Sequence, residues 1–168
     1  MTKHLIQQTV RTAKGFACLA RRVCNSVIPA MSNLTFGPPH GDFILSPNPE
    51  MVAVLVTSRG EEYWHQGSRE GSLHYENEAG WWSQLVLHFH KEHGFFVFFD
   101  SPDPTCPYVL VADESRVGTV VIWDPSGRRT LPVSHFVAPN VAAQAVREFC
   151  RSGTRTPSAN WIPFNPPI

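Results

Sequence analysis

The sequence predicts an α+β domain built from an antiparallel meander of five to six strands, a C-terminal packing helix and an appended N-terminal helix. Leu85, Leu87 and Phe89 alternate with other side chains at period two, which is typical of a strand with one buried face. Apolar residues recur at helical spacing between residues 141 and 149. Because the strands come first and this helix follows them, the pattern favours α+β over alternating α/β.

The predicted strands follow one another from residue 51 onwards. Residues 83–90 and 95–99 form a hairpin around a turn at residues 91–94, where Gly94 can adopt a positive φ. The second strand of this hairpin is apolar on both faces, so we expect it to be central and covered. Residues 51–57 are rich in Val and Leu and are predicted to form a buried strand. Shorter strands are predicted at residues 73–75, 108–112 and 119–123, and residues 43–45 form a short apolar stretch that turn-forming residues close.

The C-terminal helix has predicted limits at both ends. Asn140 is expected to cap its N-terminus, because an Asn side chain accepts a hydrogen bond from an N–H group that has no helical partner. Gly153 is expected to end the helix in a left-handed conformation. The prolines that follow predict an extended tail that is neither a helix nor a central strand.

Residues 1–35 are set apart from the predicted single domain at residues 36–168. The first 40 residues contain five Lys or Arg and no acid, and residues 2–25 match a basic amphipathic helix. Three interpretations stay open: a mitochondrial transit peptide, a helix that binds a charged surface, or a mis-called N-terminal extension with the true start at Met31.

The zero net charge of the chain combines this basic start with an acidic body. Residues 41–168 contain 9 bases and 14 acids, a balance of −5. Without a global excess of Lys and Arg, direct nucleic-acid binding is not expected. No apolar run reaches the roughly 18 residues that predict a transmembrane helix, so no membrane partner is expected. An acidic surface favours a basic protein partner.

The four cysteines form no C-x-x-C pair, which indicates free thiols and a reducing, cytoplasmic location. The chain also lacks a G-x-S-x-G nucleophile turn and a Gly-rich phosphate loop. We therefore predict no cofactor and no enzymatic activity. The cysteines are Cys18, Cys24, Cys106 and Cys150.

Three histidines support an alternative function. His88, His90 and His93 carry the imidazole that zinc, copper and iron accept as a ligand, and the first two share one face of a strand. As metal ligands they would make the chain a small β-rich metal-dependent enzyme. Otherwise His88 and His90 line a half-polar sheet face and His93 lies in a turn.

The candidates for partner binding are acidic residues of the acidic body and large aromatic residues that neighbour some of them. Aromatic rings anchor protein interfaces, and charges steer the approach of a partner. Adjacent residues of a strand point to opposite faces, so Trp81 and Trp82 cannot both face one core. The predicted contacts are Glu76, Glu78, Trp81, Trp82, Asp113 and Glu114.

The C-terminal half carries a family resemblance. A strand that begins at Tyr108 precedes a Gly-Thr-Val-Val-Ile-Trp strand at residues 118–123, a Leu-Pro step, the helix, and an ending of Gly153, Pro157 and Trp161. Over residues 85–161 this order resembles bacterial immunity proteins of polymorphic toxin systems, in particular the family usually numbered first among them. The resemblance implies an α+β fold without enzymatic activity. It also implies that the chain binds and neutralises a cognate toxin, often a nuclease or deaminase domain, in the producing cell, and the acidic body predicts that this domain is basic.

Overall fold

The computed structural model describes residues 33–124 and 127–165. Most of the predicted N-terminal helix or extension, residues 1–32, lies outside this part of the chain. Its last three residues, Asn33, Leu34 and Thr35, belong to the first strand. The sheet therefore begins before the predicted boundary at residue 36.

The described residues contain ten strands in two antiparallel sheets. In chain order they are β1 (Asn33–Gly37), β2 (Ile44–Leu45), β3 (Glu70–Glu76), β4 (Trp82–His90), β5 (Gly94–Asp100), β6 (Tyr108–Leu110), β7 (Thr119–Asp124), β8 (Gly127–Pro132), β9 (Phe136–Val137) and β10 (Trp161–Pro163). The main sheet has the order β10-β6-β5-β4-β3-β1-β2, and β9 also pairs with β5. The predicted α+β class with an antiparallel sheet is confirmed, and the strands outnumber the five to six expected.

The second sheet is a two-stranded arm formed by β7 and β8. Val120, Ile122 and Leu131 point from the arm toward buried aromatic residues of the main sheet and form a smaller core with them. Val121 and Trp123 alternate with these residues along β7 and are exposed. The sequence does not predict β8, because two arginines and a threonine interrupt its apolar pattern.

Three helices, α1 (Pro49–Ser58), α2 (Gly60–Trp64) and α3 (Pro139–Ser152), contribute to the larger core on one face of the main sheet. Trp64 of α2 is fully buried there, and its Nε1 donates a hydrogen bond of 2.9 Å to the carbonyl oxygen of Leu55. Among the described helices, none combines the length and the apolar character that crossing a bilayer requires.

The strand predicted at residues 51–57 is wrong, because these residues form most of α1. Asn48 caps the helix through its Oδ1, which accepts a hydrogen bond of 2.9 Å from the backbone N–H of Glu50. Pro49 occupies the first turn, where its missing N–H costs nothing. The residues that α1 buries have helical spacing: Val52, Ala53 and Val56.

The predicted N-cap of α3 at Asn140 is also wrong. Ala138 is the cap residue, and Pro139 takes the first turn because its fixed φ suits that position. The predicted end at Gly153 is confirmed, since this residue has a φ of 67° and donates its N–H to the carbonyl oxygen of Phe149 at 2.8 Å.

The chain after α3 is held against the main sheet. Ser83 Oγ donates a buried hydrogen bond of 2.6 Å to the carbonyl oxygen of Gly153. Trp161 Nε1 donates to the carbonyl oxygen of Thr156 at 3.2 Å, and its ring packs edge-on against Phe99. The glycine and tryptophan of the ending noted in the sequence thus have structural roles.

The described cysteines are free thiols, as their spacing predicts. Cys106 and Cys150 form no disulfide, and Cys18 and Cys24 lie outside the described residues. Burial raises the pKa of the Cys150 thiol to about 11, which leaves it protonated and unreactive at neutral pH.

The two faces of the main sheet differ. Leu85, Leu87 and Phe89 of β4 point toward the helices and are buried, as their alternation predicts. The strand β5 is apolar on both faces because the helices cover one face and the arm packs on part of the other. The remainder of that second face is open.

Candidate functional site

Four of the six predicted contact residues lie at one end of the β3–β4 hairpin. Glu76 is the direct cross-strand partner of Trp82, and Glu78 lies in the exposed turn between the strands. The turn is fixed by Asn77, whose Oδ1 accepts a hydrogen bond of 3.0 Å from the backbone N–H of Trp81. The hairpin therefore brings two carboxylates and two indole rings close together.

The adjacent tryptophans have different surroundings. Trp82 stacks on His74 with 6.3 Å between the ring centroids and an interplanar angle of 20°. Trp81 packs edge-on against Tyr75, which belongs to the helix-side core. Trp82 is half-buried on the open face, where its free ring surface can contact a partner.

The other two predicted residues lie in the exposed loop between β6 and β7. Asp113 Oδ1 accepts hydrogen bonds from the hydroxyl of Ser115 at 2.6 Å and from its backbone N–H at 2.9 Å. These bonds, the hydroxyl first, hold the pKa of the Asp113 carboxyl below its usual value. Glu114 Oε1 accepts a hydrogen bond of 3.0 Å from Asn160 Nδ2.

This loop and the β3–β4 turn lie at opposite ends of the main sheet. Because β6 is antiparallel to β5, the chain leaves β6 at the end where β5 begins. Trp82 lies at the other end, since Gln84, two residues further along β4, pairs with Asp100, the last residue of β5. The six predicted residues therefore form two separate groups.

The three histidines of the alternative metal site lie at the far end of β4 and in the following turn. His88 is buried, with 4% exposure, and His90 stacks on His93 with 4.8 Å between the ring centroids. Burial, and then the neighbouring His93, lower the pKa of His90. Within the ranges that the structure describes, no group of three or more His, Cys, Asp or Glu side chains is arranged to hold a metal ion. These histidines do not form the ligand group that the alternative requires.

A cleft of about 380 Å³ lies between the main sheet and the arm, and the sequence does not predict it. Arg69, His88 and His90 line the sheet side, and Val121 and Trp123 line the arm side. Trp123 is 68% exposed, although large apolar side chains are usually buried. One signal in the sequence points to this feature: the period of two that places Val121 and Trp123 on the same side of a predicted strand.

The part of the main sheet beyond the arm presents a row of side chains that point away from the helices. The register aligns one residue from each of five strands, β2, β1, β3, β4 and β5: Leu45, Thr35, His74, Gln84 and Asp100. Together with Glu76 and Trp82 at the hairpin end, we name these residues the open sheet face. Each of them is half-buried or exposed.

Exposed apolar residues mark the outer edge of the open sheet face. Leu45 and Phe43 have 76% and 75% of their surface exposed. The Phe43 ring packs over Gly37, and a Cβ atom at Gly37 would come within 2.7 Å of that ring. Apolar side chains that stay exposed beside a polar surface are typical of interaction sites. This region can bind a partner through stacking, carboxylates and apolar contacts.

A family model described as immunity protein Imm1 matches residues 47–163 of this chain. The match extends from the region before α1 to β10 and so includes elements outside the residues 85–161 that carried the resemblance in the sequence. Comparisons with curated proteins and with solved structures found no match. Since the family model matches more than half of the chain, the chain belongs to the Imm1 family of immunity proteins.

Proposed function

We propose that this chain binds a cognate bacterial toxin one-to-one and neutralises it in the cytoplasm of the producing cell, without catalysing a reaction itself. Membership of the immunity protein family over residues 47–163 is the observation that carries this proposal. The chain would act by covering the active site of the toxin or a surface beside it.

The proposed toxin domain is basic, such as a nuclease or deaminase domain that binds nucleic acid. The charge balance of −5 over residues 41–168 supports this choice, because an acidic surface attracts a basic partner and accelerates their association. The chain would then need no contact with nucleic acid or with a membrane.

The six predicted contacts remain proposals. Glu76 and Trp82 are favoured, because they belong to the open sheet face, and Glu78 and Trp81 neighbour them in the hairpin. Asp113 and Glu114 would form a separate contact, and their carboxylates already accept hydrogen bonds within the loop region.

The test begins with capture of the partner. The tagged full chain is expressed in its native host, and the proteins that bind it are identified by mass spectrometry. The toxin domain is then expressed in a surrogate host, alone or together with this chain. We expect the toxin domain to stop growth, the chain to restore growth, and the two purified proteins to form a one-to-one complex.

The control is the toxin domain of an unrelated system, which this chain should not neutralise. The proposal would be contradicted if cells shown to express a candidate toxin yield no complex and the chain does not restore growth. Metal analysis of the same purified chain adds an independent readout, since near-stoichiometric zinc, copper or iron would instead support the metal-dependent enzyme.

A further inference from the structure

The acidic residues on the strands of the main sheet all lie on one face. The strands β1, β3, β4 and β5 contain three acids, Glu70, Glu76 and Asp100, and no Lys or Arg. The register places all three acids on the face that points away from the helices. Arg69 lines the cleft at the Glu70 end. Negative charge is therefore concentrated around Glu76 and Asp100, near the hairpin end.

Apolar side chains lie at the outer edge of the open sheet face and at its cleft end. Leu45 and Phe43 are exposed at the outer edge, beyond β1, and Trp123 is exposed on the arm, beside the cleft that Arg69 lines. Trp82 adds a half-buried ring within the surface. Acidic groups flanked by exposed aromatic and apolar side chains are suited to a protein partner, because the rings supply binding energy and the charges supply orientation.

The area of the open sheet face limits how tight a complex this face could form by itself. From β2 to β5 the open sheet face spans four strand spacings, about 19 Å, and its strands extend for about 20 Å. This gives a projected area of about 400 Å², about half of the 800 Å² that each partner of a stable complex usually buries. A tight complex would therefore also need the edge residues and the arm.

We infer that the open sheet face, including Leu45 at its edge, forms together with Trp123 on the arm the surface that binds a basic face of the cognate toxin domain. This inference rests on the proposed function and specifies where on the chain the toxin binds. Lys or Arg side chains of the toxin contact Glu76 and Asp100, and apolar side chains of the toxin contact Leu45 and Trp123.

Matched charge reversals test the electrostatic part of the inference. Glu76→Arg changes the open sheet face, and Glu62→Arg makes the same change at an exposed site on α2, on the helix side. Both variants alter the net charge equally, so a difference between them reports local contacts rather than overall attraction. With the purified cognate toxin domain, Glu76→Arg should raise the Kd about tenfold or more, and Glu62→Arg less than about twofold.

Matched truncations test the apolar part. Trp123→Ala should raise the Kd about tenfold or more, because an exposed tryptophan that becomes buried in an interface is a strong anchor. Met51→Ala removes a partly exposed apolar side chain from α1 and should leave the Kd within about twofold of the wild type. Thermal denaturation of all four variants checks that each still folds, so that a change in Kd reports binding.

The outcomes separate this inference from the proposed function. If the wild type binds the toxin domain and the variants of Glu76 and Trp123 bind as tightly as their controls, the inference is wrong and the proposed function stands. If the wild type does not bind the toxin domain, both are contradicted. If the chain self-associates in sedimentation experiments and Glu76→Arg abolishes that association without weakening toxin binding, the face belongs to a second copy and the inference is overturned.

Discussion

The two faces of the main sheet share the same strands but have opposite properties. On β4, Leu85 and Leu87 point toward the helices and are buried, and Gln84 and Val86 point the other way and are half-buried. The helix side contains no acid on the strands, and the opposite side carries all three. The comparison indicates that one face maintains the fold and the other remains available for a partner.

This separation has a consequence for sequence change. Residues of the open sheet face can vary with little effect on the helix-side core, since their side chains point away from it and are half-buried or exposed. Residues of the helix face cannot, because close packing makes each lost methyl group costly. Under the proposed function, such a chain could adapt to a new toxin without losing its fold.

The largest expected effect on the free energy of unfolding comes from shortening one side chain of β4 on the helix side and comparing it with a side chain on the opposite face. Leu87→Ala should lower the free energy of unfolding by about 2–5 kcal/mol, because it leaves a cavity in the helix-side core. Val86→Ala, the adjacent and half-buried residue, should cost about 1 kcal/mol or less. Urea denaturation of both variants measures the difference. Equal losses would contradict the assignment of stability to the helix face.

A second pair of variants compares two glycines, one at the C-terminal end of α3 and one in the β3–β4 turn. Gly153 and Gly80 both have a positive φ, of 67° and 76°. A Cβ atom at Gly153 would clash with the Tyr75 ring, and one at Gly80 would meet nothing within 4 Å. Gly153→Ala should therefore cost about 2–4 kcal/mol and Gly80→Ala about 1 kcal/mol. If denaturation gave the same cost for both, Tyr75 would not restrict the helix end.

A smaller effect is expected from pH, on the side of the sheet that the arm covers. Burial lowers the pKa of His135 below its usual value, so the unfolded chain binds a proton more readily than the folded chain. The stability that depends on a neutral His135 is therefore fully present above the unfolded pKa of about 6.5, and it is lost as the pH falls through and below that value. Unfolding free energies between pH 7.5 and 5 should decrease with acidification, and His135→Phe should make that decrease shallower. An identical slope in the variant would show that His135 does not contribute.

The sequence predicts strongly alternating elements correctly and fails where tertiary context decides. Residues 83–90 alternate clearly, and β4 matches them almost residue for residue. Residues 51–57 are rich in Val and Leu, which suits either a strand or a buried helix segment, and the cap at Asn48 and the proline after it decide for the helix. The lesson is that the residues before an apolar run can be more informative than the run itself.

The candidate site shows the same limit. The sequence places Glu76 and Trp82 near each other, because they flank a short turn, and the register makes them direct partners. It does not bring Leu45 and Asp100 into the same row, since that row depends on the pairing of five strands. Nor does it reveal the exposure of Trp123, which follows from where the arm packs on the main sheet.

The most direct test of the account is hydroxyl-radical footprinting of the chain with and without its purified toxin domain. Tryptophan and methionine both react readily, and the chain offers Trp82 and Trp123 on the proposed binding side and Met51 on the helix side. We predict that the toxin lowers the oxidation rates of Trp82 and Trp123 and leaves that of Met51 unchanged. Protection of Met51 with no change at the two tryptophans would contradict the account, because the toxin would then bind the helix side.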